Sequence, residues 1–188
     1  MGEIANDILV TCDDENGISG VKRMFVASKT NITSFTAGTS HDYTAVTMDA
    51  TSDVWYEIQL SDKGASYEGD GSIENGASVS AKTIEADVPK LEKVKAKELQ
   101  ALFTSCRLVF ILEMYDSTGS YNRAIVVGWD EIFLDKAALR AAIKETLEAE
   151  RQGLNSYTIT ATGEGGELAR EYVGTITSNS SGTVNFGS

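Results

Sequence analysis

The side chains with the clearest capacity for chemistry are a single histidine and two cysteines. His41 and the adjacent Asp42 could serve a hydrolase, but the sequence has no G-x-S-x-G segment to hold a serine nucleophile beside them. His41 is therefore predicted to lie in a polar surface loop. Cys12 and Cys106 are too few for a disulfide framework, which predicts two free, mostly buried thiols in a reducing compartment.

Metal and cofactor chemistry has little support in the sequence. With one histidine and two cysteines, the chain cannot supply the four cysteine or histidine ligands of a structural zinc site. Residues 13–15 and 70–75 offer oxygen ligands for calcium, but without the ligand spacing of an EF-hand. Residues 163–166 are rich in glycine and lack the lysine of a phosphate-binding loop, so they predict a turn. We expect no bound metal and no cofactor.

Paired carboxylates are the remaining route to catalysis. Glu57 and Glu85 lie on predicted strands and could act as general acid and base if the fold brought them within a few ångströms of each other. Nothing in the sequence indicates that it does. We therefore expect no enzymatic activity.

The charge balance is the strongest global feature of the chain. Of 188 residues, 28 are acidic and 16 are basic, which gives a formal net charge of −12. Such a surface repels nucleic-acid phosphates, so a role in reading DNA or packaging RNA is disfavoured, although solubility alone would also explain the charge. The longest apolar run, 108–112, is far shorter than the roughly 20 residues of a membrane span.

Alternation of apolar and polar residues predicts a mainly β protein. In 54–60 the apolar residues occupy one face and Glu57 and Gln59 the other, as in a half-buried strand. Residues 157–162 alternate in the same way. The apolar positions of the two strands are Val54, Tyr56, Ile58, Leu60, Tyr157, Ile159 and Ala161.

A hairpin is predicted from 107–114 and 121–129, because the residues at 116–119 between them are small and polar. The first of these segments is apolar on both faces and is expected to be a central strand. Weaker strands are expected at 20–27, 43–48, 79–88 and 172–177.

Two segments have a helical period. The first follows Pro89 and is predicted to lie on the sheet through an apolar face. The second is predicted over 136–152, with Asp135 as its N-cap and Gly153 at its end. The apolar residues are Leu91, Val94, Leu99, Leu102 and Phe103 in the first helix, and Leu139, Ala142, Ile143 and Leu147 in the second.

The chain is expected to form one β-rich domain over residues 1–188, with flexible segments at 1–16 and 178–188. Glycine-rich stretches at 13–20, 61–77 and 163–166 are predicted to be loops. The stretch 61–77 is the longest. Such a loop could carry contacts between subunits, although a solvated hairpin would have the same composition.

Several segments follow one another in an order with a known counterpart. A glycine-led basic and apolar strand at 17–27 precedes the Trp-Tyr strand at 54–60 and a turn at 63–67; a helix then leads to an apolar strand entering 115–121. This order resembles the tail tube proteins of tailed phages and prophages of the Bacteroides type. The predicted helix 136–152 has no counterpart in the simple tube pattern.

The resemblance implies a β-sandwich or partly closed barrel flanked by a helix. It implies a virion protein of the tail, made in the host cytoplasm, whose copies close into stacked rings, commonly hexamers, and contact other virion proteins. Genomic DNA would pass through an acidic lumen without specific binding. The expected lumen residues are Glu57, Gln59, Glu85 and Asp87, and the expected inter-ring residues are Asp62, Lys63, Tyr67, Glu68, Asp70 and Glu74.

Two other roles fit the same composition. A head-decoration or neck protein of a virion would share the fold and the acidity, but would bind capsid or portal instead of stacking. A carbohydrate- or protein-binding β-sandwich would group exposed aromatic residues on one face. Trp55, Trp129 and the tyrosines are instead scattered among predicted core strands.

Overall fold

The computed structural model describes residues 20–60, 64–118, 121–149 and 155–187. Within these ranges the chain forms thirteen strands, one α-helix and two 3-10 turns. The strands are β1 (Val21–Ser28), β2 (Ile32–Ala37), β3 (Asp42–Met48), β4 (Tyr56–Ile58), β5 (Ala65–Glu74), β6 (Ala77–Pro89), β7 (Leu108–Thr118), β8 (Tyr121–Val127), β9 (Arg140–Leu147), β10 (Asn155–Gly165), β11 (Arg170–Tyr172), β12 (Thr175–Ser178) and β13 (Gly182–Asn185). The helix α1 spans Lys93–Thr104, and the turns span Lys29–Asn31 and Leu134–Ala137. The predicted mainly β fold with a flanking helix is confirmed, and the described sheets do not close into a barrel.

The larger sheet has seven strands in the order β2-β3-β11-β8-β7-β1-β4. β11 runs parallel to β3, and the other neighbouring strands are antiparallel. β7 lies between β8 and β1, so the predicted hairpin with β8 and the predicted central position are both confirmed. The strand is apolar on both faces because each face of this sheet supports a separate core.

The smaller sheet has four antiparallel strands in the order β5-β6-β10-β9 and packs on one face of the larger sheet. Between the two sheets lies the inner core, which is formed by alternate residues of each strand. Its buried members include Met24, Val26, Phe110, Leu112, Ile84, Ala86, Tyr157, Ile159 and Ala161. The predicted inward positions Tyr157, Ile159 and Ala161 are confirmed.

The opposite face of the larger sheet carries a second, aromatic core. Phe35 lies at its centre, with its ring centroid 5.1 Å from that of Tyr43 and 5.4 Å from that of Trp129. Trp55 and Tyr172 pack against the same ring. The hairpin β12–β13 covers this core with Ile176, Val184 and Phe186. Both tryptophans are therefore core residues and form no exposed aromatic platform.

The helix α1 contacts the sandwich along a narrow stripe. Leu99 is buried, and Ala96 and Leu102 pack partly against the inner core, whereas Leu91, predicted to belong to the helix, precedes it and packs there as well. Val94 and Phe103 were expected on this stripe but are 73% and 53% exposed. Because the helix presents about one residue per turn to the sheet edge, the residues flanking that line face solvent. No helix in the described ranges is long and apolar enough to cross a membrane.

The predicted second helix is wrong within the described residues. Residues 134–137 form a 3-10 turn, and β9 then pairs with β10 along its whole length. In β9, Ala141 is buried and Ile143 is half-buried against the inner core. The alanines, lysine and glutamate of this segment favour a helix locally, but the free edge of β10 offers a ladder of backbone hydrogen bonds and an apolar surface. Residues 150–154 lie outside the described residues.

The predicted long loop at 61–77 is also wrong over most of its length. β5 pairs with β6 across ten residues, and the two strands meet in a tight turn. Asn75 and Gly76 occupy this turn with φ of 50° and 83°, the left-handed conformations that a two-residue hairpin requires. The predicted turn at 163–166 likewise falls largely within β10. Gly69 and Gly71 of the first segment and Gly163 and Gly165 of the second are strand residues.

Three smaller expectations need correction. The predicted flexible tail at 178–188 contains β13, and Phe186 is 4% exposed. Tyr56 is exposed and Trp55 is buried, because Trp55 pairs with Ser178 and points into the aromatic core. Cys106 is exposed, not buried. His41 is an exposed loop residue as predicted, whereas Cys12 and residues 1–16 lie outside the described ranges.

Candidate assembly surface

The face of the four-stranded sheet that points away from the inner core is its outer face. The register of the strands determines which side chains share it: Asp87 lies opposite Thr158, and Glu85 opposite Thr160. The Thr158 hydroxyl donates to Asp87 Oδ1 at 2.8 Å. By strand alternation, the outer face consists of Ser66, Glu68, Asp70, Ser72 and Glu74 on β5; Ala77, Val79, Ala81, Thr83, Glu85 and Asp87 on β6; Ser156, Thr158, Thr160, Thr162 and Glu164 on β10; and Arg140, Ala142, Lys144 and Thr146 on β9.

Charge on this outer face is sharply divided. Six carboxylates, those of Glu68, Asp70, Glu74, Glu85, Asp87 and Glu164, lie on β5, β6 and β10. The two cations, Arg140 and Lys144, both lie on β9. Charges closer together than a Debye length of about 8 Å reinforce one another, so three strands form an acidic field and the fourth a basic edge.

Both edges of this sheet lack a partner strand among the described residues. β5 pairs only with β6, and β9 pairs only with β10. Each edge also exposes a large apolar side chain, since Ile73 on β5 is 81% exposed and Leu147 on β9 is 73% exposed. An open edge presents unpaired backbone N–H and C=O groups to other chains. The sheet can therefore extend in both directions.

The four residues expected to line a lumen do not share one surface. Glu85 and Asp87 lie on the outer face of the small sheet. Glu57 pairs with Phe25 and so points to the opposite side of the sandwich, where it accepts a hydrogen bond from Ser180 at 3.1 Å. Gln59 is exposed beyond the end of β4. Glu57 and Glu85 therefore cannot form the carboxylate pair considered from the sequence.

The residues expected to make inter-ring contacts are strand residues. Glu68, Asp70 and Glu74 belong to the outer face of β5. Tyr67 points inward against the inner core, and burial raises the pKa of its hydroxyl. Asp62 and Lys63 lie outside the described residues. A role for any of these residues between rings stays a prediction.

An interior polar cluster was not anticipated from the sequence. Lys82 is 1% exposed, and its Nζ has no hydrogen-bond partner in the described part of the chain. Burial lowers the pKa of Lys82, while the carboxylates of Asp130 and Glu167 act in the opposite direction. The one available signal is that Lys82 occupies an inward position of β6, between Ser80 and Ile84.

Asp130 in this cluster anchors two loops. Its Oδ1 accepts the backbone N–H groups of Ile132 and Phe133 at 3.1 and 2.5 Å, and its Oδ2 accepts that of Gly166 at 2.8 Å. The carboxylate thus connects the segment after β8 to the end of β10. These bonds indicate a structural role for Asp130.

Beside this anchor lies a surface that we name the apolar end, formed by Ile73, Ile132, Phe133, Leu134 and Leu168. Each of these side chains is at least 40% exposed. Ile73 and Leu168 line one groove with Gly166, and Ile132 adjoins Gly166. Contiguous exposed apolar residues of this kind typically mark a contact surface.

No group of His, Cys, Asp and Glu side chains in the described ranges could hold a metal ion. Comparison of the chain with protein-family models, curated proteins and solved structures gave no match.

Proposed function

We propose that this protein is the structural subunit of a phage tail tube, in which copies close into rings that stack around a DNA channel. The observation that carries the proposal is the small sheet, whose acidic outer face ends in two edge strands that have no outer partner among the described residues. The sequence resemblance to tail tube proteins supports the same role.

Repetition of the sheet around a ring explains how such a channel would form. Pairing between the small sheets of neighbouring copies makes one continuous antiparallel sheet, and the outer faces then line the channel. Each copy contributes six carboxylates and two cations to this lining. A wall of this sign repels phosphate, so DNA can slide without being held.

The geometry of the small sheet refines the lumen residues of this proposal. Glu85 and Asp87 belong to the channel lining, together with Glu68, Asp70, Glu74 and Glu164. Glu57 points to the other side of the sandwich and belongs to the outside of the tube. It therefore serves as an internal control.

Negative-stain electron microscopy of the purified protein at high concentration tests assembly directly. We expect rings and tubes, because exposed strand edges pair by mass action. A protein that remains monomeric at high concentration, in a salt that strengthens apolar burial, would contradict the proposal.

Lysine substitutions in the lining test the channel. Glu85→Lys with Asp87→Lys should leave tubes intact but make them retain DNA at low salt, since wall cations exchange with phosphate counterions. Glu57→Lys should retain no more DNA than the wild type. Equal retention by the two variants would place the outer face away from the lumen.

A head-decoration or neck protein is the second candidate, and the apolar end favours it. Its exposed apolar residues would form a contact surface for a different virion protein, such as capsid or portal. The assembled species discriminates the two roles. Stacked tubes of the isolated protein support the tail tube, whereas single rings or monomers that bind capsid or portal particles support the alternative.

A further inference from the structure

We propose that the contact between neighbouring copies is an antiparallel pairing of β9 with β5 of the next copy, in the register that sets Arg140 opposite Glu74 and Lys144 opposite Asp70. The inference rests on the proposed function and specifies its interface. The partner is a second copy of this chain.

Strand direction permits this pairing. All neighbours in the small sheet are antiparallel, so its two edge strands run in opposite directions. A rotation about a ring axis that runs along the strands preserves their directions, and β9 therefore meets the next β5 antiparallel. The outer faces of the two sheets then lie on the same side.

The charges determine the register. Arg140 and Lys144 lie four residues apart on the outer face of β9. The acidic residues on the outer face of β5 are Glu68, Asp70 and Glu74. Only Asp70 and Glu74 are also separated by four residues, so one antiparallel alignment alone sets both cations opposite carboxylates. Directly opposed side chains of opposite charge stabilise a strand pair.

The same register covers the apolar groups of both edges. On the inward side it sets Leu147 opposite Tyr67, which already packs on the inner core of its own subunit. It also sets Ile73 opposite Ala141, and Ile143 opposite Gly71, where β5 has no side chain. Two side chains that are exposed in the isolated chain thereby gain apolar neighbours.

Like edges repel each other in this arrangement. Two β5 edges would oppose carboxylates, and two β9 edges would oppose cations, so closed dimers are disfavoured relative to a head-to-tail contact. Head-to-tail contacts generate rings when the rotation closes. The division of charge between the two edges therefore favours ring formation over closed dimers.

Charge reversal on each edge tests the pairing. Arg140→Glu with Lys144→Glu gives a protein with two acidic edges, and Asp70→Lys with Glu74→Lys gives one with two basic edges. We expect each variant alone to need at least about tenfold more protein to assemble in sedimentation velocity experiments. An equimolar mixture should assemble as the wild type does, since each edge then meets an opposite charge. If the mixture needs as high a protein concentration to assemble as each variant alone, the proposed pairing is wrong.

Cysteine cross-linking tests the register. In a background with Cys12→Ser and Cys106→Ser, Ala142→Cys and Ser72→Cys lie directly opposite each other, about 5 Å apart, which suits a disulfide. We expect a ladder of covalent oligomers under mild oxidation. Thr146→Cys with Ser66→Cys is the matched control, since these positions oppose only after a slip of two residues. Cross-linking of the control pair in place of the first would refute the register.

The outcomes separate the interface from the function. If the wild type forms rings, but neither the cross-link nor the assembly of the mixed charge-reversal variants is observed, this interface is wrong and the tail tube proposal is unaffected. A cross-linked ladder from a wild type that forms open polymers, but neither rings nor tubes, supports the interface and rejects the tube. Failure of both rings and cross-links rejects both.

Discussion

Replacement of Lys82 by methionine should leave the protein folded and more stable, whereas most core substitutions destabilise. Lys82 is 1% exposed, and its amine lacks a hydrogen-bond partner among the described residues. Burial lowers the pKa of Lys82, so the folded state disfavours the charged form. Methionine keeps a long, flexible side chain of similar size without the charge.

The size of the effect follows from the surroundings of the amine. Asp130 does not depend on Lys82, since three backbone N–H groups already donate to its carboxylate. Replacing a whole buried ion pair by apolar residues of similar volume is often neutral or stabilising by about 1–4 kcal/mol, and a buried amine without a hydrogen-bond partner carries the same kind of desolvation cost. We expect Lys82→Met to raise the free energy of unfolding by about 1 kcal/mol near neutral pH, because in the wild type the Asp130 and Glu167 carboxylates offset part of the cost of desolvating the amine. In a protein of this size that is about 2–4 °C in Tm.

The pH dependence has a definite sign. With a folded-state pKa below the unfolded one, the unfolded chain holds more protons between the two values, and the wild type gains stability as pH rises through that window. The advantage of Lys82→Met should therefore shrink as pH rises toward about 10. Burial raises the pKa of Tyr172 to about 12, which gives a loss of stability above its unfolded pKa of about 10. The measurements should stay below that pH.

Urea denaturation of both proteins from about pH 7 to about pH 9.5 measures this difference. Lys144→Met is the matched control, because Lys144 lies on the exposed outer face and its replacement should change the free energy of unfolding by less than about 0.5 kcal/mol in the monomer. Destabilisation by more than about 1 kcal/mol in Lys82→Met would mean that the amine makes a strong favourable interaction, and would refute the reasoning.

Three further substitutions test the packing of the larger sheet. Phe35→Ala should lower the free energy of unfolding by about 3–5 kcal/mol in urea denaturation, because four aromatic rings surround the lost side chain; a loss below about 1 kcal/mol would contradict this central position. Gly128→Ala should lower the Tm more than Gly182→Ala does. Both glycines have positive φ, but only at Gly128 would an added Cβ lie 2.7 Å from a backbone oxygen. Equal losses of Tm would rule out that clash. Glu113→Ala should lower the free energy of unfolding by about 1–3 kcal/mol, because this 2% exposed carboxylate accepts hydrogen bonds from Arg23 and Asn122 and lies near Lys22. An unchanged free energy of unfolding would show that these polar contacts do not stabilise the fold.

Sequence reasoning worked best where the pattern itself is sufficient. The run 108–112 of β7 is apolar on both faces, which favours a strand buried on two sides, and the small polar residues at 116–119 indicated a reversal before β8, although 116–118 themselves belong to β7. β10 alternates in a way that fixes which side chains point inward. These features depend on short-range periodicity, which is present before any partner is known.

Sequence reasoning failed where a partner strand decides the structure. β9 has the composition of a helix and β5 that of a loop, yet each pairs along its length with a strand of the small sheet. The free energy of forming those ladders comes from residues distant in sequence, so no local pattern reports it.

The candidate site followed the same division. The excess of carboxylates and the outward positions of Glu85 and Asp87 could be read from the sequence, since a strand with one apolar face must turn its other face to solvent. The position of Glu57 on the far side of the sandwich, the separation of cations onto β9, and the burial of Lys82 could not. Sequence alternation assigns a side chain to one of two faces, but only the order of strands in the sheets decides which faces are shared, because that order arises from tertiary pairing.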